Sequence, residues 1–346
     1  PRPTAEFPLE TVSCCRSVSV AATSEQEAAH GQRQLVAIFG TDYGRLMYRS
    51  IERSGCVAPG SIAGPEGEPP IQMALFAGNE VLCIDTDVAG SSEVWVAVGF
   101  RGGIVRVYDF VLKKLARKFD VVDALGVHAI SFVGSPSPQL KHHRTFLAAL
   151  GLQGTLSILS IADGVTVHTL LSIHGGGVHV VGMSTLLAKR PSYSEDRHSC
   201  DEILATCGEN NTLRLWSVSS KLPSALRVEP MGAPVPMTTL LTSASREPDV
   251  SVVQAMGSVR GSSRASYSDL IALGTKRGTV VVYNVSLSTV VLLTEVNCRV
   301  SSIDLVRPPL SSPQYDTATP KYRVLVAKDD GSVVLFTCSA TSAVHP

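Results

Sequence analysis

Apolar and polar positions alternate along this chain in one arrangement that recurs six times. The segments are LVAIFGTDYGRLMYRSI (35–51), VWVAVGFRGGIVRVYDF (94–110), TFLAALGLQGTLSILSI (145–161), ILATCGENNTLRLWSV (203–218), LIALGTKRGTVVVYNV (270–285) and VLVAKDDGSVVLFTC (324–338). Each runs from an apolar strand of small residues through a tight polar turn into a strand of period two, the signature of a β-hairpin. The turn position is held by Gly44, Gly103, Gly154, Asn211, Gly278 and Gly331. A tight hairpin needs positive φ there, which glycine adopts freely and asparagine tolerates better than other residues. Five residues later stand Tyr108, Leu159, Trp216, Tyr283 and Phe336, large enough to wedge between neighbouring sheets, whereas the first copy has Arg49 there and Tyr48 one place early. An apolar strand precedes each hairpin (17–23, 80–86, 126–133, 177–184, 236–243, 299–306), and another follows most of them, as at 166–173 and 289–296. The pattern predicts an all-β chain of six four-stranded units, without the long amphipathic helices of a βαβ fold.

GFRGGIVRVYDF, GENNTLRLWSV and KDDGSVVLFTC resemble the WD40 repeat, whose units end in GSxDGTVRVWD-like patterns. The resemblance spans nearly the whole chain and implies a WD40-like β-propeller, in which radial repetition leaves only short, protected edges. The expected blades cover 11–78, 79–122, 123–174, 175–230, 231–297 and 298–346, with TAEFPLE (4–10) closing the ring as the outer strand of the last. Six blades are visible, and a seventh would lie outside the chain if it is an excerpt. Only Asp330 fills the repeat's Asp position before the turn glycine; Tyr43, Gly102, Gln153, Asn210 and Arg277 stand in the others. The Gly-His pair that opens a repeat is missing, so the family's Trp, Ser/Thr, Asp and His hydrogen-bond network is expected to be mostly absent.

Composition narrows the functions rather than the fold. Apolar residues make up 44% and charged residues 17% of 346, enough to bury a core, and Lys+Arg balance Asp+Glu at 30 each. A neutral chain lacks the basic excess with which nucleic-acid binders neutralise phosphates. The eight cysteines include no CxxC pair, and most lie in apolar strands where a thiol acts as a small hydrophobe; the pattern points to a reducing intracellular compartment, cytoplasmic or nuclear. No apolar run approaches the ~20 residues of a membrane span.

Candidate chemistry is sparse. IHGGGV (173–178) lacks the GxSxG elbow an esterase needs and is expected to be a flexible turn, and GTKRGT (274–279) lacks the GxxxxGK[ST] spacing and following helix of a phosphate loop. His142 and His143 have no carboxylate or thiol at ligand spacing. No catalytic residue, cofactor site or metal site is expected. His128 and His179, each in a Gly-Val-His triplet, are expected at equivalent places on inner strands lining a central channel. The basic run 113–118 is expected to blunt an exposed blade edge. Long loops (24–34, 53–70, 134–144, 187–201, 244–268, 307–321) should decorate one face. On the opposite, glycine-turn face, Arg101, Lys276, Arg277, Asp329 and Asp330 are charges carried on rigid hairpins. The resemblance implies a non-catalytic scaffold or adaptor that binds other proteins within a larger intracellular assembly. The alternatives are a propeller binding phosphoinositide membranes, for which FRGG (100–103) is a displaced variant of the FRRG motif, and an RNA-associated scaffold subunit.

Overall fold

The computed structural model of the protein describes residues 12–21, 33–51, 71–89, 93–121, 125–136, 144–189, 200–222, 225–236, 253–258, 270–306 and 321–339. These hold six antiparallel sheets and no helix. The chain divides into two compact units, Pro1–Leu170 and Leu171–Pro346, each with three of the sheets.

In the first unit, the first sheet runs Val12–Ala21, Arg33–Thr41, Arg45–Ile51, Ile71–Leu75. The second runs Val81–Ala89, Glu93–Phe100, Ile104–Asp109, Lys114–Asp120. The third runs Val127–Pro136, Arg144–Gly151, Leu156–Ser160, Val165–Leu170. Each is a simple up-and-down meander in sequence order. In the second unit, the fourth sheet runs Val180–Lys189, Cys200–Gly208, Thr212–Leu222, then an outer strand in two pieces, Ala225–Pro230 and Val235–Pro236. The fifth runs Val253–Ser258, Leu270–Thr275, Thr279–Asn284, Thr289–Glu295. The sixth has Val300–Val306, Lys321–Lys328 and Val333–Ser339 among the described residues.

Two boundaries differ from the sequence pattern. Val235–Pro236 pairs with Thr212 and Leu213, so the fourth sheet extends past residue 230. The fifth sheet begins at Val253 rather than with the apolar run at 236–243, whose remainder lies outside the described residues, as do the segment 4–10 and most of the long loops. Val253 wins that place because it opens a motif shared by all six first strands: Val, any residue, then a small residue. The copies are Val12-Ser-Cys, Val81-Leu-Cys, Val127-His-Ala, Val180-Val-Gly, Val253-Gln-Ala and Val300-Ser-Ser.

The motif makes a β-bulge in every sheet. Val81 pairs with Phe100 but Cys83 with Gly99, so Leu82 is the extra residue. Ser13, His128, Val181, Gln254 and Ser301 occupy the same place in the other sheets. A bulge leaves one residue outside the ladder and increases local twist. Two of the extra residues are serines, and each satisfies the opposite strand's carbonyl, Ser13 Oγ to Gly40 O at 3.2 Å and Ser301 Oγ to Ala327 O at 3.0 Å.

The valines also pack neighbouring sheets within a unit. Gly40, Gly99 and Gly274 share one register position on the second strand, and each lies under the next sheet's valine: Val81, Val127 and Val300. A Cβ on Gly99 would stand 2.8 Å from Val127 Cγ1, and one on Gly274 would stand 2.7 Å from Val300 Cβ. Only glycine lets the sheets approach this closely. Around these contacts the apolar faces merge into shared cores. Val98, Phe100 and Tyr108 of the second sheet pack with Ile38 and Leu46 of the first; Val280 and Val282 of the fifth pack with Ile303, Val324 and Val326 of the sixth.

Candidate functional site

All six turn residues between second and third strands have positive φ: Gly44 85°, Gly103 76°, Gly154 82°, Asn211 55°, Gly278 96° and Gly331 81°. In five of them the turn is closed by a bond from this residue's N–H to the carbonyl three residues back, as from Asn211 to Gly208 at 3.0 Å. The hairpin tips are further tied to their own first strand. The first turn residue donates its N–H to the carbonyl of the residue just before that strand: Arg101 to Glu80, Leu152 to Gly126, Glu209 to His179 and Asp329 to Arg299, at 2.9–3.2 Å.

In two of these pairs the side chains repeat the tie as an ion pair, and in a third an imidazole meets a carboxylate. Arg101 grips the Glu80 carboxylate through both Nε (2.8 Å) and a terminal nitrogen. His179 Nδ1 lies 3.4 Å from Glu209 Oε2, and Arg299 Nε 3.3 Å from Asp329 Oδ2. Glu209 also reaches Lys276 of the fifth sheet at 4.0 Å, linking two neighbouring hairpins. Asp330 is held from within its own turn: Oδ1 accepts Ser332 N–H (2.9 Å) and Oγ (2.6 Å), while Oδ2 accepts Lys328 Nζ (3.0 Å). These bonds, with Ser332 the largest contributor, hold its carboxyl down at about 2. Arg277 is exposed and makes no ion pair among the described residues.

Surface pairs of this kind add little stability; their effect is to fix where each charge stands. The second unit therefore presents Glu209, Lys276, Arg277, Arg299, Asp329 and Asp330 on the tips of adjacent hairpins or the strand entries tied to them. Arg101 belongs to the first unit and is already occupied by Glu80, which accounts for the arginine of the FRGG stretch.

His128 and His179 are both exposed but are not equivalent. His128 is the bulge residue, after Val127; His179 precedes Val180, in the place held by Gly126 in the third sheet. The identical Gly-Val-His triplets are offset by two residues in structure, because in one the valine opens the strand and in the other the histidine stands before it. Nor is the basic run a uniform solvated edge. Arg117 donates to Ile161 O (2.8 Å) and Ala162 O (3.1 Å) of the third sheet, and Lys118 pairs with Asp120 at 3.4 Å.

The buried polar centre of the second unit lies where sequence reading expected a flexible turn. His174, in IHGGGV, is 4% exposed. Its Nδ1 is 2.8 Å from Thr212 Oγ1 and its Nε2 3.0 Å from Thr206 Oγ1, which also accepts Trp216 Nε1–H at 3.0 Å. Thr212 donates its hydroxyl proton to Asn210 Oδ1 (2.6 Å), and Asn210 Nδ2 returns a bond to His174 O (3.2 Å). Since the Thr212 proton is committed, Thr212 accepts from His174 Nδ1–H, and Nε2 takes the Thr206 proton. One tautomer of a neutral imidazole completes the chain. Burial, with the Arg214 charge behind it, pushes the His174 pKa down to about 4. Trp216, Thr206, His174, Thr212 and Asn210 thus form one continuous hydrogen-bond network in the fourth sheet, where such a network was expected to be mostly absent. The missing signal was its histidine, which sits before a glycine run instead of after a glycine. Among the described residues no cluster of His, Cys, Asp or Glu could hold a metal ion.

Six antiparallel sheets, with no helix among the described residues, agree with the expected WD40-like β-propeller fold. The fold resembles a chain in the crystal structure of the mitotic checkpoint complex, with a TM-score of 0.50 and 14% identity over 88% of this chain and 75% of that one. The crystal structure of the computationally designed Ika8 protein is also similar, with a TM-score of 0.47 and 12% identity over 87% and 67% of the two chains. No protein-family profile matches the sequence, and no curated protein matches it.

Proposed function

We propose that the chain is a non-catalytic scaffold that binds other proteins within a larger intracellular assembly, using the hairpin-tip end of its second unit. The reading rests on one observation above all: charges of both signs, on Glu209, Lys276, Arg299, Asp329 and Asp330, are each fixed by a neighbour on a rigid turn. A preset pattern of alternating charge selects a complementary protein surface and steers its encounter, while costing little side-chain entropy on docking. Arg277, exposed and without an ion pair among the described residues, is the charge in that pattern best placed to contact a partner. The likeness to a chain of a multi-protein complex supports the reading at the level of fold. On the membrane alternative, the FRGG arginine is taken up by Glu80, which leaves it poorly placed to meet a lipid headgroup. No helix among the described residues is long and apolar enough to cross a membrane.

Affinity capture from the native cell with quantitative mass spectrometry tests the proposal. A stoichiometric protein partner is expected with the natural chain and is lost from the Lys276→Glu, Arg277→Glu variant. Recovery of no stoichiometric partner, or a partner indifferent to the charge reversal, would overturn it.

A further inference from the structure

In the second, third and fifth sheets, the turn joining third to fourth strand is built alike. It ends on a left-handed residue: Lys113 (φ 54°), Gly164 (73°) and Ser288 (53°). The residue before it donates its N–H to the side chain that ends the third strand. Leu112 donates to Asp109 Oδ1 and Leu287 to Asn284 Oδ1, both at 2.9 Å, and Asp163 to Ser160 Oγ at 3.3 Å. Such a local bond holds the turn in one shape, and the residue it holds is exposed in all three.

Of the three, the second sheet's turn adds further apolar surface and a cluster of cations. Val111 is 54% exposed, Leu112 60% and Leu115 48%, and Lys113, Lys114, Arg117 and Lys118 are exposed beside them. Over 109–120 these four cations meet two carboxylates, and both are engaged, Asp109 in the turn and Asp120 with Lys118 at 3.4 Å. The apolar side chains have no inward place to take. Phe110 is buried beneath them, and Lys113 Nζ lies 3.3 Å from the centre of that ring and 3.8 Å from the centre of Tyr48 in the first sheet. Its ammonium pins the turn against two aromatic faces. A single exposed leucine is ordinary on a protein surface; three large apolar side chains within five residues, fixed on a rigid tip among cations, form a patch suited to an interaction.

We propose that this turn docks the protein on an anionic lipid bilayer. Val111, Leu112 and Leu115 enter the boundary between headgroups and acyl chains, and Lys114, Arg117 and Lys118 meet the phosphates above it. The two contributions act together: apolar burial retains the tip in the interface, and the cations draw it to a surface of negative potential. Arg117 keeps its charge while donating to Ile161 O (2.8 Å) and Ala162 O (3.1 Å) of the third sheet, so its place on the tip is fixed before any lipid arrives. The combination selects the partner. A nucleic-acid backbone would use the cations and leave the three apolar side chains in water, whereas a bilayer uses both. The sister turns lack one half each: Leu287, also 60% exposed, stands between Ser286 and Ser288, and the third sheet has Asp163 in that place, which an anionic surface repels. The proposal is independent of the hairpin-tip scaffold and adds a surface on which such a scaffold assembles.

The test is flotation of the intact chain with vesicles of phosphatidylcholine containing phosphatidylserine as the minor lipid, and with vesicles of phosphatidylcholine alone, beside retention on single-stranded RNA. Binding is expected to the anionic vesicles, weakly to the neutral ones, and to fall as salt is raised. Leu112→Ser removes apolar burial and leaves every cation, and should weaken partitioning on the order of tenfold. Lys114→Glu with Lys118→Glu should weaken it at least as much and flatten the salt dependence. Leu287→Ser should leave it unchanged. No binding to anionic vesicles, binding indifferent to Leu112→Ser, or an equal loss with Leu287→Ser would overturn the proposal. So would RNA retention that depends on the lysines while vesicles are ignored, which would assign the basic run to nucleic acid. All of these substitutions are at exposed positions, and the natural chain on the two kinds of vesicle decides the matter if a variant does not fold.

Discussion

Replacing Gly274 with alanine sets two physical arguments against each other. Its φ is not positive, so the local effect is stabilising by about 0.4–1 kcal/mol, because alanine restricts the unfolded chain. Packing says the opposite. The new methyl would stand 2.7 Å from Val300 Cβ and 3.0 Å from its Cγ2, where carbon atoms rest at about 3.5–4.0 Å. Rotating Val300 cannot relieve the first contact, since Cβ is fixed to the backbone. Val300 is fully buried in the core shared by the fifth and sixth sheets, so the strands themselves must part by about 1 Å. Overpacking costs about 1–3 kcal/mol, and the rigid geometry places this case near the top of that range. The net expectation is a loss of about 2 kcal/mol. It is measured by urea unfolding, as a midpoint lowered by about 1 M for an m-value near 2 kcal/mol/M. Gly176, with nothing within 4 Å of an added Cβ, supplies the control: Gly176→Ala should be neutral or slightly stabilising. In a Val300→Gly background the added methyl meets no Cβ, so most of the Gly274→Ala penalty should vanish, a coupling that a double-mutant cycle isolates. If Gly274→Ala stabilises as Gly176→Ala does, or costs the same in both backgrounds, the account of how these sheets approach is wrong.

His174 gives a signed pH dependence. Its folded pKa of about 4 lies below the ~6.5 of an unfolded histidine, so between those values the unfolded chain binds the extra proton. Stability from this group is complete above ~6.5 and is lost as pH falls towards 4, at up to about 1.4 kcal/mol per unit; urea unfolding at pH 7.5 and 5.0 should show a steeper loss in the natural chain than in His174→Gln. Trp216→Phe removes the bond to Thr206 while keeping a ring, and should cost about 1–2 kcal/mol, against about 3–5 for Trp216→Ala. Asn211→Gly, at a φ of 55°, should change stability by no more than about 0.5 kcal/mol, because the left-handed turn selects glycine or asparagine there; loss of partner capture in a folded Asn211→Gly chain would contradict this. Burial raises the thiols of Cys83, Cys207 (to about 12) and Cys338 (to about 11), so iodoacetamide at pH 8 should leave all three unmodified until the chain is unfolded.

The hairpins were readable from sequence because both of their determinants are local. A turn needing positive φ selects Gly or Asn, and a half-buried strand alternates at period two. The first strands were harder, since a bulge inserts one residue and inverts the alternation on its far side. PMTTLLTS alternates acceptably while Val253-Gln-Ala does not, yet the latter holds the place, and the Val-x-small motif identifies it. Gly40, Gly99 and Gly274 looked like ordinary strand glycines, because what they accommodate is a valine 26–41 positions further along the chain. His174 was misread for a related reason. Its partners Thr206 and Thr212 are 32 and 38 residues away, and the glycines beside it suggested mobility when they only free the chain to place an imidazole. Of the charged turn residues, their positions were apparent but most pairings were not, since the partners of Arg101 and Asp329 sit before another strand and that of Lys276 on a neighbouring hairpin.

The bulge has a bearing on how such a chain tolerates change in length. Deleting a residue from a strand normally turns every later side chain to the opposite face. Here each first strand already carries a spare. Removal of Leu82 or Val181 would bring Cys83 or Gly182 directly next to its valine, converting the irregular step into ordinary pairing and leaving all downstream partners where they were. Six such places, one per sheet, act as slack in the thread: points where the gene can lose a codon and the fold keeps its alignment.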